Sequence, residues 1–143
     1  MKCEIIIGTE HEESVIIYAR ERTKLVEEIE SFVLGYSTEI IGYKDKSAVV
    51  INPAEVCCFT VEDGKTYALT DDDKLLLKSR LYQVEKILSD NFIKINQSCI
   101  ANIKKISRFD VIAYGSLAVI FKNGHRDYVS RRQIKSVKER LGV

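Results

Sequence analysis

From residue 38 to residue 129, apart from a stretch around residues 79–91, the chain is cut into apolar runs of three to six residues bounded by polar or turn-forming positions. Runs this short suit strands rather than helices, which need roughly ten or more residues to present an apolar face. The pattern predicts strands over residues 40–43, 48–51, 56–61, 67–70, 75–77, 92–95, 98–101, 103–106, 111–114, 117–121 and 126–129. Two dipeptides fix the pairing. Asp63-Gly64 and Asn123-Gly124 supply the positive φ that tight hairpins require, so their flanking strands should run antiparallel. The expected fold class is mainly β with short helices.

Three segments break the β habit. Leu25, Val26, Ile29, Phe32 and Val33 recur at helical spacing against Glu27, Glu28 and Glu30, with Gly35 placed to stop the helix. A second helix is expected after Ser79, with Leu81, Val84, Ile87 and Leu88 on one side. A third begins at Ser130, where Ser130 and Gln133 have capping-box spacing, carries Ile134, Val137 and Leu141 inward and stops at Gly142. Before the first helix, runs at 3–7 and 15–19 flank a polar turn and predict two short strands against which that helix packs its apolar stripe, dimerisation through the stripe being the minor alternative. Residues 1–40 are therefore expected to form a small β/α segment and residues 41–143 the main domain.

At 143 residues, with 45% hydrophobic content and one proline, the chain can build one core or a core with an appendage. It has no apolar run long enough to cross a membrane and no signal-peptide core, so a cytoplasmic protein is expected. Cys3, Cys57, Cys58 and Cys99 lack metal-ligand spacing and lie among apolar residues, which predicts buried, reduced thiols. Only His11 and His125 are present, and no glycine-rich phosphate loop, nucleophile elbow or paired catalytic carboxylates occur. The expectation is a non-enzyme with no metal and no cofactor.

The net charge of +1 conceals an uneven distribution. Residues 1–90 hold 11 Lys and Arg against 18 Asp and Glu, whereas residues 91–143 hold 11 against 3. The first part carries −7 and the second +8. A basic segment of that kind fits a polyanion, and equally a solvated basic face. Arg131 and Arg132 fall in the first turn of the third helix, where the macrodipole disfavours cations; on position alone, a bound anion and simple solvent exposure explain the pair equally well.

The stretches FIKINQSCIANIKKI, residues 92–106, and FKNGHRDYVSRRQIKSVKERL, residues 121–141, together resemble the LytTR family of bacterial DNA-binding domains. Phe92, Lys94, Ser98, Asn102, Asn123, Gly124, Ser130, Arg131 and Arg132 carry the resemblance, which extends over roughly residues 45–141. It implies a LytTR-type antiparallel β domain that puts loops, rather than a recognition helix, into the major groove of double-stranded DNA. It also implies base contacts from Asn96, Gln97 and Arg132, an opening-hairpin contact near Lys65, and backbone contacts from Lys94, Ser98 and Arg131. The sequence has Asn-Gln where the family more often has His-Arg, a pair still able to read adenine. Asn102 has a second explanation, as a buried residue that ties a turn.

The family's usual response-regulator arrangement places a phosphoacceptor receiver before this module, and residues 1–40 are too few for one. The reading is a stand-alone bacterial transcription regulator without a receiver, binding DNA as a homodimer on two half-sites. The competing reading is an interaction module whose acidic N-terminal half binds a regulatory protein partner. Convergence of Lys94, Gln97 and Arg132 on one exposed surface would favour DNA.

Overall fold

The computed structural model describes residues 2–10, 12–33 and 39–142, and the chain divides into two compact units, Met1–Ser37 and Thr38–Val143.

The described residues of the first unit contain one helix, α1 (Lys24–Val33), and no strand. The runs 3–7 and 15–19, expected as strands, are unpaired, and Ile7 and Tyr18 are each 93% exposed. A lone two-stranded ribbon is marginal in water, and apolar composition alone does not supply the third strand or covering layer it needs. Thr23 starts α1 by accepting the Val26 N–H at 3.3 Å, and Arg22 pairs with Glu27 and Glu30. The expected burial of the apolar stripe is only partial: Val26 and Ile29 are half-buried, whereas Leu25, Phe32 and Val33 remain exposed. The expected stop at Gly35 lies outside the described residues.

The described residues of the second unit hold ten strands and two helices: β1 (Ile40–Lys44), β2 (Ser47–Ile51), β3 (Cys58–Glu62), β4 (Lys65–Leu69), β5 (Lys74–Leu77), α2 (Leu81–Ile87), β6 (Phe92–Asn96), β7 (Cys99–Asn102), β8 (Ile106–Val111), β9 (Leu117–Phe121), β10 (Arg126–Val129) and α3 (Arg131–Leu141). An antiparallel seven-stranded sheet has the order β2-β1-β5-β4-β3-β7-β6, and a three-stranded sheet the order β10-β9-β8. Both glycine turns form as expected, with Asp63 at φ 50°, Gly64 at φ 74° and Gly124 at φ 88°.

Strand alternation builds a core on each face of the larger sheet. Cys58, Leu69, Ile95, Cys99 and Ala101 face the three-stranded sheet and α3, meeting Leu117, Val119, Phe121, Val129 and Val137. Their neighbours Phe59, Ala68, Leu75, Leu77 and Ile100 face the other way and meet Leu81 and Val84 of α2. At Gly42 the side chains of the two strands flanking β1 close over it, so that a Cβ would lie 2.7 Å from Ile51 Cδ1 on β2 and 2.8 Å from Leu75 Cβ on β5.

Several expected boundaries differ. Residues 103–106 were expected as a strand, but Ile103–Lys105 form a 3-10 turn because the Asn102 side chain accepts the Lys104 N–H at 3.1 Å. Asn102 is 2% exposed and also donates to the Val56 carbonyl at 2.9 Å, so it is the buried tie that its alternative reading described. The strand expected at 111–114 lies earlier, as β8, and residues 113–115 turn through positive φ at Tyr114 and Gly115. The N-cap of α2 is Arg80, not Ser79, with the Gln83 side chain accepting the Arg80 N–H at 2.9 Å. Ser130 is the N-cap of α3, but its hydroxyl makes no capping bond; its carbonyl accepts from Gln133 and Ile134 instead.

Candidate nucleic-acid interface

Hydrogen-bond register brings four connecting segments to one end of the second unit. Thr60 pairs with Cys99, and the Val61 N–H donates to Ser98 O at 2.9 Å, so the β3–β4 turn and the β6–β7 turn lie side by side. The Ser130 N–H donates to Ile95 O at 2.8 Å, which sets the start of α3 beside the end of β6. Val129 pairs with Leu117, and Leu117 with Val111, so the β8–β9 turn comes to the same end.

Lys65 opens β4 opposite Glu62 and is exposed; the Glu62 carboxylate is already paired with Lys74. Lys94 is half-buried in β6, two residues before the turn, where the register shifts between Lys94 and Asn96. Gln97 and Ser98 are exposed, and neither side chain makes a bond among the described residues. Arg131 and Arg132 are exposed in the first turn of α3, without an ion-pair partner among the described residues. The backbone N–H groups of these two arginines precede the first intrahelical donor and have no acceptor among the described residues, so helix geometry and side-chain charge favour an anion at the same point.

Asn96 differs from its neighbours. Its Nδ2 donates both hydrogens, to Asp127 Oδ1 at 2.9 Å and Tyr128 O at 2.7 Å, and its Oδ1 accepts the Ser98 N–H at 2.8 Å. The structure thus brings Lys65, Gln97, Ser98, Arg131 and Arg132 to one end with Lys94 close behind, and engages the amide of Asn96 inside the protein.

Asp127 and Tyr128 did not emerge from the sequence. Alternation along β10 turns Arg126 and Tyr128 outward, with the Arg126 guanidinium 5.6 Å from the Tyr128 ring centroid, and Asp127 inward. An inward carboxylate in a basic segment is the signal that could have marked it. Burial would raise the Asp127 pKa, but the His125 imidazole, the Tyr128 N–H, the Asn96 amide and the Cys99 thiol outweigh it and hold the carboxyl below the usual range. Tyr114, at φ 62° in the β8–β9 turn, is fully exposed.

Cys57, Cys58 and Cys99 are buried as free thiols, whereas Cys3 is exposed, contrary to the expected burial of all four. A hydrogen bond with Cys58, together with burial, pushes the Cys99 thiol far up, and burial followed by the Asp71 charge raises Cys57, so both favour the protonated form. Among the described residues no three His, Cys, Asp or Glu side chains gather as metal ligands, and no helix is long and apolar enough to cross a membrane. His11 lies outside the described residues.

The family model described as the LytTr DNA-binding domain matches residues 46–142. Two Staphylococcus aureus proteins, from strains MSSA476 and MW2, each named an uncharacterized HTH-type transcriptional regulator, are 36% identical over 146 aligned positions covering 100% of this chain and 99% of the relative. A solved structure, the LytTr DNA-binding domain of a Bacillus cereus protein described as a methyl-accepting/DNA response regulator, superposes with a TM-score of 0.69 at 20% identity. It covers 75% of this chain and 99% of that chain.

Proposed function

The chain belongs to the LytTR family of DNA-binding domains, and from that premise we propose that it is a cytoplasmic transcription regulator reading the major groove through the loops at one end of its β unit. The observation that carries the reading is the convergence of Lys65, Gln97, Ser98 and the unpaired Arg131 and Arg132 on that end. Gln97 and Arg132 have free side chains of the types that read adenine and guanine edges. Lys65, Lys94, Ser98, Arg131 and the open N-terminus of α3 suit phosphates, which fix register without reading sequence. Asn96 contributes from beneath, by shaping the turn, in place of the base contact its motif position implies.

Loops rather than a helix pair are the natural reading elements here. Strands separate α2 from both α1 and α3, so the described residues hold no helix-turn-helix. The reading assigns no catalytic step and no cofactor. Because one such unit offers few base contacts, two copies on neighbouring half-sites are proposed, with residues 1–40 as the contact between them. The exposed Ile5, Ile7, Tyr18 and Phe32 also support the second reading, in which that segment receives a regulatory protein.

Salt titration tests the phosphate contacts. Affinity for duplex DNA should fall by more than about a hundredfold between about 50 and about 200 mM salt, the response of a protein that displaces four or more condensed counterions. Binding that is insensitive to salt, or absent at low salt, contradicts the reading.

A further inference from the structure

We propose that Asp127 is a positioning residue for sequence reading: it fixes the β6–β7 turn through Asn96 and thereby sets the direction in which Gln97 meets DNA. The inference rests on the proposed reading role of that turn. The side chain of Asp127 is 21% exposed, and its Oδ1 accepts two bonds, from Asn96 Nδ2 at 2.9 Å and from the Tyr128 N–H at 2.7 Å. Its other oxygen lies 3.9 Å from His125 Nε2, a buried atom with no hydrogen-bond partner among the described residues. From Asn96 the connection passes directly to the turn, through Asn96 Oδ1 and the Ser98 N–H at 2.8 Å. With both amide hydrogens and the amide oxygen of Asn96 engaged, its side chain has one orientation that satisfies all three bonds.

On its other flank the turn is tied by the Val61 N–H to Ser98 O. The Gln97 side chain makes no bond among the described residues, so its direction is inherited from the turn backbone. A reading side chain on a loop is useful only when the supporting residues hold it in place before binding, because ordering it at the moment of contact subtracts from affinity for the correct site. Charge supplies an independent argument. Asp127 is one of three acidic residues in the basic segment 91–143, and a carboxylate close to a phosphate-facing surface weakens binding by repulsion. The bonds it accepts explain what offsets that cost.

The test compares intact chains carrying Asp127→Ala, Asp127→Asn, Asn96→Asp and Gln97→Ala, each with its thermal unfolding recorded. The two readouts are affinity for a selected operator and for the same operator changed at the base pair that Gln97→Ala ceases to distinguish. Asp127→Ala should lose roughly tenfold of discrimination while binding random duplex at least as well as the parent. Asp127→Asn, whose side-chain carbonyl can accept the same two bonds, should restore discrimination. Asn96→Asp keeps the acceptor for Ser98 but cannot donate to Asp127, and should also lose discrimination, which keeps the proposal testable if Asp127→Ala does not fold. Parental discrimination in Asp127→Ala or Asn96→Asp, with Gln97→Ala altered, overturns the positioning role alone; an unaltered Gln97→Ala overturns the reading by the turn and the positioning role with it.

Discussion

Replacing Arg132 with alanine should weaken binding to a selected operator by about 1–3 kcal/mol and leave binding to random duplex nearly unchanged, whereas Lys94→Ala should weaken both by similar amounts. The contrast follows from what each side chain offers. Arg132 is exposed, unpaired and a planar donor fork, able to take both acceptors of a guanine edge. Lys94 is half-buried in a strand two residues behind the turn, where its ammonium is a point charge with reach toward a phosphate. Arg131→Ala should behave as Lys94→Ala does. Titration of each variant against specific and random duplex at fixed salt checks the division; equal losses from Arg132→Ala on both DNAs would remove its assignment to a base.

The largest effect on stability is expected at Asn102. Asn102→Ala should lower unfolding free energy by about 2–4 kcal/mol, because it breaks two bonds and leaves the carbonyl of fully buried Val56 without its side-chain donor. Asn52 provides the comparison. It caps the 3-10 turn Pro53–Glu55 in the same way, accepting the Ala54 N–H at 3.1 Å, but is exposed. Its alanine variant should cost about 0.5–1 kcal/mol. Denaturant unfolding of the two variants separates a turn bond that water can replace from one that it cannot reach, and equal losses would contradict the account of Asn102.

What the sequence conveyed about this fold was mostly local. The turns at 63–64 and 123–124 were legible because a glycine at positive φ is a requirement of the hairpin itself. The start of α3 at Arg131 was legible too, although Ser130 marks it by backbone conformation rather than by the expected side-chain bond. The runs 3–7 and 15–19 read as strands because an apolar run looks the same whether or not a partner strand exists. Residues 103–106 misled for the opposite reason, since Asn102 redirects a β-prone run into a turn through bonds to residues near and far. At the site, family resemblance assigned the two amides of Asn96-Gln97 together. What separates them is Asp127, 31 residues further along the chain, which engages Asn96 and leaves Gln97 free. Nothing in local pattern records a pairing across that distance.

Whether this β unit reads DNA sequence through its loops is tested most directly by selecting bound fragments from random duplex DNA with the intact chain. The account predicts enrichment of a defined motif, present as two half-sites separated by about one helical turn, with preference at one or two base pairs lost in Gln97→Ala and at another in Arg132→Ala. A selected pool no different from the starting pool, or a motif that both variants select unchanged, would contradict it.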